Sequence, residues 1–562
     1  MGKRIQVSAL LLCACFVSFG FAQDISRLDP PSIIRGDANL IGNGFFNLSI
    51  YGGYFFPQCV PVSPGSTQCI LTDVTYPPPI VRFAGTQVTV TSRQLFPRAD
   101  TTAPLDPKSG NLYEAEVITV AVPPSLIART GSAPNPGYLV QVQTGVALGS
   151  PVFAPSYLMV DWRIDAVVGT GDQGYLGDGG LASAAHINFP VSIAFNNNYL
   201  YIADTCNSCI RRVNLTTKII ERFAGQCTPN MTVSCGDPLP GGYGGDGGPA
   251  LLAQLKNPYG IAFDSPNPGA NLYIADTSNQ IIRKVDMSNP SNPIITTVAG
   301  VPLVCGNNGD GGAATSAHLQ TPVAIVFDNL TPQSYYIVDN GNQRIRKVTN
   351  GTINAFAGLC LNPPPEGCCD PKIQSCQPPC APAYAGDNGP AAQARLSVPA
   401  HLAFSTDATS LYVADYGNKR VRRIEMTSPQ FIISTVAGVG TSITEPGGYF
   451  GDFGSASEAW LNWPISLASP PSGLPFANNI FVSDRHNMRI RQIDAGLKAS
   501  KSIAGSGIGG FGGDYNPVNP SAFPGLATNA QLFQQTGIAF DPANGELYII
   551  DNHNHKIRKI SR

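Results

Sequence analysis

From about residue 163 to the C-terminus, short apolar runs rich in β-branched and aromatic residues alternate with polar turns. Leu272-Tyr-Ile-Ala leads into Asp276-Thr-Ser-Asn279, and Ile281-Ile-Arg283-Lys-Val285 follows. The same pattern returns at 200–213, 335–348, 411–424, 480–493 and 547–560. The copies lie roughly 60–75 residues apart, and a fixed internal period marks a repeat architecture. Each copy predicts two strands and a turn, because Asp and Asn bond the local backbone and Asn tolerates positive φ. Upstream of each stands a run such as Leu255–Phe263, and downstream one such as Thr297–Gly300. Four short strands per unit is the content of one propeller blade.

The ends of the pattern predict how the ring closes. The last copy stops at Arg562 with no Thr-Val-Ala-Gly after it, and a matching piece, Ile164–Gly169, stands before the first copy. Blade six is therefore expected to take its outer strand from 164–169, so that no edge is left open.

The stretches YGGDGGPALLAQLKNPYGIAF (243–263) and LYIADTSNQIIRKV (272–285) resemble the NHL-repeat consensus, and the resemblance covers about the last 400 residues. It implies a six-bladed β-propeller at 163–562. Ahead of it, residues 23–162 show alternating strands such as Gln87–Ser92, Glu116–Ala121 and Tyr138–Gln143 among Pro and Gly clusters. That pattern predicts an Ig-like β-sandwich, a resemblance that implies a spacer or docking module. The fold class is thus all-β, a propeller preceded by a sandwich.

Residues 1–22 read as a secretory signal: Lys3 and Arg4, an apolar Val7–Phe21, then Gly20-Phe21-Ala22. A lipobox at Leu12–Cys15 fits less well, since the apolar run continues past Cys15. The mature chain is expected to be secreted, extracellular or at a cell surface, with no membrane insertion after signal removal. Cysteine usage agrees. Of 14 cysteines, two fall in the signal, and an even remainder in an exported chain reads as disulfides. Cys59 with Cys69, and a bridge within the Cys206-Asn-Ser-Cys209 turn, are the expected local pairs; Cys227 and Cys235 flank one insertion. Five sequons, at Asn47, Asn214, Asn230, Asn329 and Asn350, would carry glycans in a eukaryotic host. A net charge of −2 with no basic cluster excludes nucleic acid as a partner.

Repetition itself separates frame from site. Residues present in every blade build blades, so a unique site must use residues that break the repeat. The recurring Asp204, Asp276, Asp339, Asp415, Asp484 and Asp551, the Asn three residues after each, and Arg211, Arg283, Arg346, Arg422, Arg491 and Arg558 are read as turn formers and ion pairs. The Gly-Asp-Gly-Gly loops, as at 177–180, 245–248 and 309–312, lack a P-loop context. Calcium is conceivable there but one Asp per loop is few ligands, and the expected role is capping the short helical segment that follows. No cofactor is expected.

Three groups break the pattern. On the first strands, a register of Ser192, Gly260, Ala324, His401, Ser466 and Gly537 is expected to face the channel, with His401 a lone polar residue. His486, His553 and His555 lie in two neighbouring Asp-x-x-Asn turns, where solvation is the expectation and a metal the alternative. A register before the first strand, His186, Gln254, His318, Arg395, Trp460 and Gln531, varies while its neighbours repeat. Insertions at 226–241, 301–307 and 359–383 accompany it, as do Tyr243, Tyr384, Tyr449, Phe450 and Trp463. All join strand four of one blade to strand one of the next, so they share one face, and such a face often binds. The sequence therefore reads as a non-enzymatic interaction protein using this face on a protein or glycan. The alternative is a metal-dependent hydrolase or lyase, resembling the lactonases, with its site in the channel.

Overall fold

In the structure, a computed structural model, residues 164–561 are described in full apart from 228–241, 329–332, 361–382, 441–451, 453–454, 513–526 and single positions 266, 268, 475, 495 and 497. The secretory signal, the Ig-like sandwich and the Cys59–Cys69 pair fall outside the described residues.

Residues 163–561 form one compact unit of six antiparallel blades. Blade one comprises Ser192–Asn196, Tyr199–Asp204, Cys209–Asn214 and Ile220–Ala224 in spatial order from the axis outward. Blade two runs Pro258–Phe263, Leu272–Asp276, Ile281–Asp286 and Ile294–Ala299. Blades three and four have inner strands Pro322–Phe327 and Pro399–Phe404, and blade five Pro464–Ala468. In blade six Ile538–Phe540 is innermost, then Leu547–Asp551 and Lys556–Ser561, and Arg163–Val168 is outermost. Ile164 lies opposite Ile560, and Ala166 opposite Arg558. Head and tail of the propeller are thus joined in one sheet, and the inner strands pack in succession with the last against the first.

Strand side chains alternate between the two faces of a sheet, so each blade presents an apolar surface to both neighbours. The second-strand aromatic of one blade meets a Phe at or next to the end of the next blade's inner strand: Tyr201–Phe263 at 4.9 Å between ring centroids, Tyr273–Phe327 at 4.7 Å, Tyr336–Phe404 at 5.5 Å, Phe481–Phe540 at 4.9 Å and Tyr548–Phe195 at 4.9 Å. These edge-on contacts add to the burial that holds blade to blade.

The Asp-x-x-Asn turns are single 3₁₀ turns, and their positive φ falls on the residue after the Asn. That residue is Ser208, Gln280, Gln343, Lys419, Met488 or His555, with φ between 48° and 62°. The Asn is therefore not chosen for backbone tolerance; its side chain has another task, described below. The turn bridge expected within Cys206–Cys209 does not form. Cys209 is bonded to Cys227, with Cα atoms 4.9 Å apart. The register explains it: Ile210 pairs with Ala224, which brings the start of the third strand beside the segment leaving the fourth. Cys206, Cys305 and Cys360 are also disulfide-bonded.

Candidate binding face

The recurring polar residues form a buried frame. In each blade the turn Asp accepts a backbone N–H through one oxygen, as Asp276 does from Lys256 at 2.8 Å, and the turn Asn amide through the other, Asn279 at 2.8 Å. The same Asn amide donates to a carbonyl of the incoming segment, Gly242 for Asn279 and Gly174 for Asn207. The repeat Arg, fully buried in all six blades, donates to the carbonyls of the variable register: Arg211 to His186, Arg283 to Gln254, Arg346 to His318, Arg422 to Arg395, Arg491 to Trp460 and Arg558 to Gln531.

This frame corrects the reading of the Gly-Asp-Gly-Gly loops. The short helical turns after them, such as Ala250–Leu252, have no side-chain cap. The loop Asp binds the repeat Arg instead: Asp178–Arg211 at 2.7 Å, Asp246–Arg283 at 2.5 Å, Asp310–Arg346 at 2.7 Å, Asp387–Arg422 at 2.6 Å and Asp452–Arg491 at 2.8 Å. A calcium ion would have to displace that guanidinium, so these loops do not fit one. The glycines are there because the backbone requires them: a Cβ on Gly245, at φ +83°, would lie 2.7 Å from the Cα of Ala253.

Two carboxylates thus flank one guanidinium. For Asp276, burial pushes the carboxyl up to about 7 despite its hydrogen bonds and Arg283. For Asp246, burial is outweighed by hydrogen bonds from Thr297 and by the Arg283 charge, and its carboxyl sits below the ordinary range. The nearer partner takes the charge, and the buried one holds its proton more tightly.

The register with His401 contacts the next blade. Ser192 Oγ accepts the Ile261 N–H at 3.3 Å, His401 Nδ1 the Leu467 N–H at 3.3 Å, and Ser466 Oγ the Ile538 N–H at 3.2 Å. A Cβ on Gly260 would lie 2.5 Å from the Val323 carbonyl oxygen, and one on Gly537 2.6 Å from that of Val191. Small residues here let inner strands approach one another. Burial holds the His401 pKa down at about 4, so it serves as a neutral acceptor. Among the described residues no group of three or more His, Cys, Asp or Glu could hold a metal.

The variable register lies on the face carrying the Asp-x-x-Asn turns, since the turn Asn of each blade reaches the incoming segment there. Gln254 and Trp460 are exposed, and His186, His318 and Arg395 half-buried. Tyr243 and Tyr384, half-buried, also serve the frame: their hydroxyls bind Asp246 and Asp387, and their rings cover Arg283 and Arg422. Tyr449 and Phe450 lie outside the described residues.

The densest break in symmetry is one the sequence reading missed. The first residue of the turn pins the next blade: Thr205 donates to the Pro258 carbonyl, Thr277 to Pro322, Asn340 to Pro399 and Asn552 to Pro190, at 2.6–2.8 Å. In blades four and five that residue is Tyr416 and Arg485. Tyr416 packs on Trp463 with ring centroids 5.2 Å apart, and Trp463 stacks on His486 at 3.8 Å. Arg485 Nη2 donates to Gln534 Oε1 at 3.0 Å. Its charge reaches Tyr416, His486, His553 and Tyr259. Tyr259 is on blade two, opposite blade five, so the cluster spans the mouth of the channel. Aligning the six turns and asking which first residue is neither Thr nor Asn would have found it. His553 and His555 pack instead on Phe189, at 5.1 and 4.8 Å.

A family model described as the Teneurin NHL domain matches residues 291–425. Teneurin-1 of Mus musculus is 29% identical over 281 residues, 47% of this chain, and that match spans 9% of its own length. Teneurin-3 of Danio rerio is 26% identical over 423 residues, 69% of this chain and 14% of its own. A crystal structure titled an auxiliary nutrient binding protein from Bacteroides thetaiotaomicron superposes with a TM-score of 0.46 at 12% identity, covering 92% of this chain and 95% of that one.

Proposed function

Starting from a chain whose propeller is of the NHL-repeat type, we propose that it is an exported, non-enzymatic interaction protein. Its loop-bearing face binds an extracellular protein or glycan. One observation carries this reading: residues common to the blades are consumed in the frame, whereas the repeat-breaking Trp460, Trp463, Tyr416 and Arg485 gather on a single face. Trp460 remains 49% exposed, and aromatic and Arg side chains dominate contact energy where surfaces meet. Export rests on the character of residues 1–22 and agrees with a disulfide between Cys209 and Cys227.

The test is an array of extracellular proteins and glycans probed with the full-length protein. Trp460→Ala with Trp463→Ala is compared with Ser291→Ala, an exposed change in the opposite-face turn of blade two. Loss of the bound spots with the first pair alone supports the reading. Retention by the tryptophan variants, or equal loss in both, overturns it.

A further inference from the structure

We propose that the channel mouth on this face binds the carboxylate of an acidic sugar, a uronate or a sialate, with Arg485 as its cation. Trp463 and Tyr416, packed beside it, supply the apolar border of the site. This deepens the binding reading above and rests on it for the face.

The guanidinium is under-used. It carries five N–H donors, yet among the described residues no carboxylate pairs with it. Gln534 takes one donor, and the Tyr416 phenol interacts with the group. Every repeat Arg, by contrast, is matched to one or two carboxylates. A guanidinium with free donors suits a carboxylate, which it can hold by two parallel bonds.

The surroundings favour a sugar over a peptide carboxylate. Capture of a chain terminus uses a nest of backbone N–H groups. Here the turn's own N–H groups are taken, Arg485 by the Trp463 carbonyl at 3.4 Å and His486 by that of Asn462 at 3.0 Å. What borders the guanidinium is the Tyr416–Trp463–His486 cluster, half-buried, whose apolar edges and polar tips suit the mixed surface of a sugar. His486 and His553 are held below their ordinary pKa by burial and then by Arg485, so near neutral pH both are uncharged hydrogen-bonding groups. Tyr259, raised by burial, stays a neutral phenol across the mouth.

The experiment is calorimetric titration of the full-length protein with four probes: a glucuronate-ended disaccharide, 3′-sialyllactose, lactose, and trialanine with a free carboxylate. At least one acidic sugar is expected to bind about tenfold or more tighter than lactose, the scale of one hydrogen bond to a charged group. Which of the two does so identifies the source. Arg485→Gln is expected to erase that preference, and Arg485→Lys to restore it only in part, since Lys lacks the planar fork. Lactose binding as tightly as both acids, or trialanine alone binding, overturns the inference on the unaltered protein, whatever the variants' folding. So does an unchanged preference in a folded Arg485→Gln. If the acids fail while the tryptophan pair still abolishes array binding, this inference falls and the face reading stands; if both fail, neither does.

Discussion

Six buried arginines are the least expected residues of this all-β core, and their value lies in what they stop from being unpaired. Arg283 donates to the Gln254 and Gly244 carbonyls and to Asp246, with Asp276 at 3.6 Å. Replacing it by Leu leaves Asp276 buried without its countercharge and two carbonyls without donors. Breaking such a buried pair costs about 3–5 kcal/mol. Urea unfolding should show a loss of that order; a loss under 1 kcal/mol would mean the frame is dispensable. The turn carboxylates make a separate prediction. Asp276 is raised to about 7, and Asp204, Asp415 and Asp484 to about 6, chiefly by burial. The folded state therefore binds protons more tightly there than the unfolded chain, whose carboxyls titrate near 4. Stability from these groups is full below that pH and is lost as pH rises through about 6 to 7. Unfolding midpoints of the natural protein measured relative to Asp276→Asn should thus fall from pH 4 to pH 7, and a flat or rising difference would refute the assignment. Asp246 and Asp387, both lowered, act in the opposite sense at acid pH.

At the scale of the element, strand positions were legible because apolar and β-branched runs recur at one period, and the copies correct one another. Partnerships were less legible. The loop Asp was read as a cap because capping is local, whereas its partner Arg283 lies 37 residues away and only the blade brings them together. The contacts of the first-strand register with the next blade were illegible for a similar reason: alternation tells that two sets of side chains face opposite ways but not which neighbour each set meets. Tyr416 and Arg485 went unnoticed because Thr and Asn, their counterparts, look like ordinary turn residues until their reach to the next blade is seen. The Cys206–Cys209 expectation failed on spacing alone, since the register puts Cys209 beside Cys227. That bond closes a loop with a sequence separation of 18, for which chain entropy predicts about 3 kcal/mol. Cys209→Ala with Cys227→Ala should lower stability by that order, and a cost confined to blade one should show as faster amide exchange in Cys209–Asn214 than in the matching strands. Uniform exchange across blades would argue that the bond does no local bracing.

At the scale of the molecule, everything turns on a ring whose last blade is built from both ends of the repeat region. Arg163–Val168 supplies the outer strand to Lys556–Ser561, and Ile164 and Val168 are both buried there. The strand was foreseeable because Ile164–Gly169 resembles the fourth-strand runs of the other blades yet stands ahead of the first copy, a position that only a closed architecture explains. Removing 163–168 from the full chain takes away a six-residue ladder and two buried aliphatic side chains, each worth about 1.5–3 kcal/mol. It also bares the edge of Lys556–Ser561, and an open edge recruits other chains. Two linked outcomes are therefore expected: a lower, broader thermal transition, because blade six no longer couples blade five to blade one through a complete sheet, and self-association visible by size-exclusion chromatography. The pairing is specific enough for a rescue. A synthetic peptide of residues 163–168 should restore the natural protein's elution volume and sharpen the transition, whereas the same peptide with Ile164→Asp should not, because a carboxylate would then enter an apolar interface unpaired. A deletion variant that keeps the natural elution volume and midpoint would show that the other five blades hold the ring alone.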